Sequence, residues 1–223
     1  MVAVRPAGLS APLPAVVAYH GLGGDKSDDL LRLAIPLADA GCLAVLPDAA
    51  LHGERRPRDF HVRLQHDRDG LFLEALEATV EEAPGVFSWV AERDDVDESR
   101  IATVGTSMGG AIVLALACGG LKTSPATAVA LMPALPGPGS AVRQEAAYGE
   151  PDPALCYPTP LLVVHGVEDR TVSYPTARDF YDALVPHYSD APSRLRFIDM
   201  PGEEDRVGAY WLEETLAWLA RYL

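Results

Sequence analysis

The run from Ile101 to Ala111, Ile-Ala-Thr-Val-Gly-Thr-Ser-Met-Gly-Gly-Ala, restricts the fold more than any other stretch of this chain. Ile101 to Val104 is a short β-rich apolar run, and Ala111 to Ala117 is an apolar run that continues as a helix. A buried strand that turns at once into a buried helix leaves Ser107 on the tight connection. Gly105 and Gly109 lack a Cβ, so strand and helix approach closely enough to strain the central residue and lift its hydroxyl off the backbone. A chance Gly-x-Ser-x-Gly is most often a flexible turn. One set between a strand and a helix, with Gly110 added, marks Ser107 as a candidate nucleophile.

Other strand and helix signals alternate along the chain. Val2 to Arg5 reads as a short edge strand, and Ala15 to Tyr19 as a buried one that stops at His20-Gly21-Leu22-Gly23-Gly24. Asp28 to Ala40 has helical spacing and ends at Gly41, and Leu43 to Leu46 is the next strand. Pro47 to Gly70 is polar, rich in His and Arg and without period, and reads as a long loop with at most a short helical turn. Leu71 to Glu82 is a helix that resumes after a kink at Pro84-Gly85, and Asp94 to Arg100 is an acidic connection. Strands follow at Ala126 to Leu131, Pro160 to Val164 and Leu195 to Asp199, with helices at Thr176 to Val185 and Ala209 to Leu223. Met132 to Pro158 is a proline-rich excursion able to form a small lid.

Such alternation implies a parallel sheet covered on both faces, with ligands at the carboxyl ends of its strands. A length of 223 residues and 48% apolar residues suit a single domain spanning residues 1–223. The net charge of −14 argues against nucleic acid and anionic membrane surfaces, which reward basic patches. No charged leader precedes an apolar stretch and no run is long enough for a membrane span, so a cytoplasmic protein is expected, monomeric or homodimeric. The three cysteines, Cys42, Cys118 and Cys156, are widely spaced and read as free core thiols, with neither disulfide nor zinc.

Four motifs taken together resemble the α/β-hydrolases, and most the small bacterial carboxylesterases of the dienelactone-hydrolase and prolyl-oligopeptidase-like branch. They are His20-Gly21-Leu22-Gly23-Gly24, Pro47-Asp48 with His52-Gly53-Glu54-Arg55, Gly105-Thr106-Ser107-Met108-Gly109, and His165-Gly166-Val167-Glu168-Asp169. The resemblance implies a three-layer fold with a mostly parallel sheet, helices on both faces and small lid loops. Only about 14 residues precede the Ala15 strand, so the sheet is shortened at its N-terminus to six or seven strands. It further implies that Ser107 attacks an ester carbonyl, that the Leu22 and Met108 N–H groups receive the oxyanion, and that Asp169 is the acid member. His20, His52 and Arg55 are then loop-ordering or substrate-side residues.

The base departs from the family pattern. The loop after the last strand reads Met200-Pro201-Gly202-Glu203-Glu204-Asp205-Arg206-Val207, and the family's histidine position holds Asp205. No histidine follows His187. A carboxylate with an ordinary pKa near 4 is a weak base at neutral pH, and it would lie beside Asp169 as a like charge. His61 and His66 on the long loop, and His52, are the remaining ways to supply an imidazole; His20 and His165 suit loop orientation and His187 an exposed position. Neither metal-ligand spacing nor a nucleotide fingerprint is present, so no cofactor is expected. Two functions follow: a serine hydrolase for esters of small substrates, working through an acyl-enzyme and impaired at residue 205, or a non-catalytic small-molecule binding protein, an inactive paralogue on the same fold.

Overall fold

The computed structural model describes residues 1–8, 12–27, 30–135, 151–201 and 209–223. In chain order the elements are β1 (Val2–Val4), β2 (Leu13–Tyr19), α1 (Leu30–Asp39), β3 (Leu43–Leu46), α2 (Phe60–His66), α3 (Arg68–Ala91), β4 (Val96–Thr106) and α4 (Met108–Ala115). They continue with β5 (Ala128–Leu131), α5 (Pro153–Cys156), β6 (Leu161–Gly166), α6 (Tyr174–Leu184), β7 (Leu195–Met200) and α7 (Ala209–Tyr222). The strands form one seven-stranded sheet in the order β1-β3-β2-β4-β5-β6-β7. Every pairing is parallel except that of β1 with β3.

Side-chain alternation along these strands divides the core in two. Val17, Val45, Ile101, Ala130 and Val163 point to the face covered by α3 and α4. Val16, Ala44, Val104, Val129 and Val164 point to the opposite face, which takes Leu33 and Leu37 of α1 and Trp211 and Trp218 of α7. A strand buried on both faces reads as a continuous apolar run, which is why β2, β5 and β6 were legible without alternation. The mostly parallel sheet, the helices on both faces and the strand number all agree with the expectation from sequence.

Four local expectations are corrected. Polar Pro47 to Gly70 is not one long loop: it carries a 3₁₀ turn at Gly53–Arg55, helix α2 and the first residues of α3. Helix α3 then runs unbroken through Pro84 for 24 residues. The acidic Asp94 to Arg100 segment is not a connection throughout, because β4 already begins at Val96 and pairs there with Leu13 of β2. Cys118 and Cys156 form a disulfide between the turn after α4 and helix α5, leaving only Cys42 as a free, buried cysteine. Spacing could not reveal that pairing, since the two residues meet only through packing of the helices. Most of the expected lid segment, residues 136–150, lies outside the described residues.

Candidate active site

The close approach expected at the Ser107 turn is present. A Cβ on Gly105 would stand 2.2 Å from the Gly109 carbonyl oxygen, and one on Gly109 would stand 2.0 Å from the Tyr19 carbonyl oxygen. Any other residue at either position would push α4 off the sheet. Ser107 has φ 55° and ψ −114°, a backbone region costing about 1–3 kcal/mol that persists only where its surroundings impose it. They do so here through hydrogen bonds: the Ser107 N–H donates to Leu131, and the Ser107 carbonyl accepts from Ala111 and Ala134. Met108 opens α4 with its side chain fully buried.

Ser107 lines a cavity of about 720 Å³ at the carboxyl ends of the strands. Gly21 and Leu22 border it on the β2 side, and Thr171 and Val172 on the β6 side. Arg32 and Arg68 stand in the same lining, and no acidic residue does among the described residues. Those two cations went unnoticed in the sequence, where each belongs to a different helix.

The loop from His20 to Gly24 is held peptide by peptide. His20 Nδ1 donates to the Gly21 carbonyl at 2.8 Å, and its Nε2 accepts the Ala49 N–H at 3.0 Å. His52 Nε2 accepts the Gly23 N–H at 3.0 Å, while its Nδ1 donates to the Ala50 carbonyl at 2.8 Å. A carbonyl only accepts and an amide N–H only donates, so both rings are neutral with the proton on Nδ1. Burial, helped by the neighbouring His20 and Arg56 and opposed by the hydrogen bond to Ala50, pushes the His52 imidazole down to about 4. With each Nε2 lone pair taken by a backbone N–H, neither ring is placed as a base toward Ser107.

The neighbouring Asp48 anchors the same region. Burial would raise its carboxyl, but hydrogen bonds from the Lys26 ammonium (2.6 Å) and backbone N–H (3.0 Å) hold it below its ordinary value. Gly53, with φ +58°, lies flat against that carboxylate; a Cβ there would be 2.2 Å away. Arg55 pairs with Glu82 at 2.6 Å and donates to the Asp48 carbonyl at 2.8 Å, so it orders the loop and is absent from the cavity lining. The arginine that reaches the His20 to Gly24 loop is Arg56, which sequence reasoning did not single out. Its partners are 32 and 33 residues away, and no local spacing announces such a contact.

On the β6 side, Asp169 Oδ1 accepts the N–H groups of Thr171 (2.8 Å) and Val172 (2.9 Å). Its Oδ2 is buried without a partner among the described residues. His165 is fully buried in β6, donates from Nδ1 to the Gly166 carbonyl, and has a buried Nε2 without a partner among the described residues. Burial depresses its pKa. His61, His66 and His187 are exposed, and none lines the cavity. Asp205 lies outside the described residues.

Comparison with known proteins agrees with this architecture. The sequence pattern of the dienelactone hydrolase family matches residues 1–191, and the chain belongs to that family. It is 29% identical over 238 residues to the candidate esterase YitV of Bacillus subtilis (strain 168), covering 95% of this chain and 90% of that protein. The crystal structure of TT1662 from Thermus thermophilus shares 24% identity with a TM-score of 0.68, covering 99% of this chain and 92% of that one. The ferulic-acid-bound structure of Est1E from Butyrivibrio proteoclasticus shares 16% identity with a TM-score of 0.74, covering 99% and 94%. The fold is that of the α/β-hydrolases.

Proposed function

We propose that this chain is a serine hydrolase acting on carboxylic esters of small substrates through an acyl-enzyme, and a slow one. The observation that carries the proposal is Ser107, held at φ 55° between β4 and α4 and facing the cavity that it shares with Leu22. Ser107 is the nucleophile, and the N–H groups of Leu22 and Met108 receive the oxyanion. Asp169 is the acid member of the triad. Its Oδ2, without a partner among the described residues, suits a carboxylate whose imidazole is missing, and the aspartate at residue 205 accounts for the slowness. Oxyanion stabilisation and binding alone still leave roughly 10³–10⁴-fold catalysis over water when a triad member is lost. Membership of a hydrolase family and the likeness to YitV support the class of reaction.

The missing histidine also favours a second reading, a non-catalytic protein that binds small molecules in the same cavity. Turnover of short and long p-nitrophenyl esters by this chain, by Ser107→Ala and by Asp205→His separates the two. The esterase reading expects slow turnover that depends on Ser107 and rises in Asp205→His. Equal background rates in all three proteins would sink it and leave the binding protein.

A further inference from the structure

Arg56 completes a hydrogen-bonded frame around the loop that lies against Ser107. Its Nη2 donates to the Gly23 carbonyl at 2.6 Å and to the Gly24 carbonyl at 3.1 Å. Its guanidinium lies over the Phe60 ring, 4.8 Å from the centroid, and Phe60 meets the His52 ring edge-on at 5.1 Å. Arg56, Phe60 and His52 therefore form one packed unit, and two of its three members bond directly to the loop.

The consequence for the loop follows from peptide planarity. In a trans peptide the C=O and the N–H point in opposite directions, so a fixed carbonyl aims the next residue's N–H. The Gly21 carbonyl accepts from His20 Nδ1 at 2.8 Å and from the Gly24 N–H at 3.1 Å, and this aims the Leu22 N–H. The Gly24 N–H belongs to the same peptide as the Gly23 carbonyl, which Arg56 holds. Arg56 thus acts on the Leu22 N–H through one turn of backbone. Glycines at 21, 23 and 24 give this segment little stiffness of its own, so the direction of that N–H depends on outside partners. The side chain also accepts a cost to stay there: its Nε is buried without a partner among the described residues. A guanidinium placed only for stability would not be expected to leave a donor unpaired in order to bring Nη2 onto two loop carbonyls.

We propose that Arg56 is a positioning residue for the oxyanion loop, holding the His20 to Gly24 segment in its anion-receiving form while touching no reacting atom. The inference rests on the proposed esterase reading for its kinetic consequence, but not for its structural one. Removal of a direct oxyanion donor costs about 10²–10³-fold. Loss of its support is expected to cost less, roughly tenfold to a hundredfold in kcat with KM nearly unchanged.

The test uses Arg56→Met, Arg56→Lys and Arg56→Ala, each with three readouts: kcat and KM on p-nitrophenyl acetate, thermal midpoint, and hydrogen exchange of the amides at residues 21–24. Arg56→Met should lower kcat and speed exchange in that segment, while Arg56→Lys, which keeps the charge but not the fork, recovers part of both. Added methylguanidinium should restore kcat in Arg56→Ala without altering KM, a response that a merely structural role would not show. Wild-type kcat in Arg56→Met with unchanged exchange at 21–24 would overturn the proposal. So would a loss that follows the thermal midpoint and resists methylguanidinium. If neither the native chain nor Asp205→His turns over esters, the esterase reading fails, and the exchange readout decides the Arg56 proposal by itself.

Discussion

The two sides of the Ser107 cavity are built to different degrees. On the β2 side, the peptides of the His20 to Gly24 loop are held by three side chains, His20, His52 and Arg56. On the β6 side, Asp169 uses one carboxylate oxygen on the backbone, and its other oxygen and His165 Nε2 are buried without a partner among the described residues. Unpartnered buried atoms are not confined to that side, since Arg56 Nε is another among the described residues; what differs is that the Arg56 guanidinium is bonded to the loop through its Nη2. The contrast separates two jobs that a serine hydrolase combines. Stabilising an oxyanion needs only fixed backbone donors, the role proposed for the held His20 to Gly24 loop; moving the serine proton needs a base near neutral pKa, which no side chain of the cavity lining offers among the described residues.

The largest expected effect comes from completing the weaker side. Asp205→His should raise kcat for simple esters by about 10²–10⁴-fold, the range that a positioned general base contributes, with little change in KM. Steady-state kinetics on p-nitrophenyl acetate checks this, and an unchanged kcat would mean that the β6 side cannot be repaired at residue 205. Ser107→Ala in that repaired background should return the rate to the native level or below, because nucleophile and base act as a unit.

The next effect belongs to the stronger side and concerns stability. The folded His52 stays neutral down to about pH 4, whereas the unfolded chain takes up that proton near pH 6.5. Between those values the unfolded state binds more protons, so stability contributed by neutral His52 is full above pH 6.5 and is lost as pH falls toward 4. The loss is of order 3 kcal/mol across the window. Urea unfolding from pH 7 to pH 4 should show a flatter profile for His52→Gln than for the native chain. Parallel profiles would mean that His52 is not buried neutral.

The smallest effect is expected where the two sides meet. Asp169→Asn in the native chain should change kcat less than about threefold, since the sequence offers it no histidine to hold at residue 205. The same change in the Asp205→His background should cost about 10²-fold or more, because the carboxylate then holds the imidazole. A double-mutant cycle reads the difference directly, and equal losses in both backgrounds would show that Asp169 acts on something other than residue 205.

Much of this was legible in the chain. The glycines around Ser107 foretold a close strand-to-helix approach because steric exclusion acts there between near neighbours in sequence, and a Cβ on Gly105 2.2 Å from the Gly109 carbonyl oxygen permits no alternative residue. Continuous apolar runs such as Ala15 to Tyr19 foretold central strands for an equally local reason. His52 was placed near the site as a loop-ordering residue, and its bond to the Gly23 N–H is of that kind. The helical part of Pro47 to Gly70 was not legible, because α2 is short, mostly exposed and carries one buried residue, Phe60, which leaves no apolar period to detect.

The sequence by itself determined the central strands, the strained serine turn and the absence of a histidine beyond residue 187, since each depends on local sterics, periodicity or plain residue identity. Only the tertiary structure decided which arginine serves the loop and that Cys118 meets Cys156. These are contacts between segments tens of residues apart, set by strand register and helix packing. Two adjacent arginines, Arg55 and Arg56, are chemically alike in the sequence; the direction of the chain after Gly53 sends one to Glu82 and the other to the Gly23 and Gly24 carbonyls.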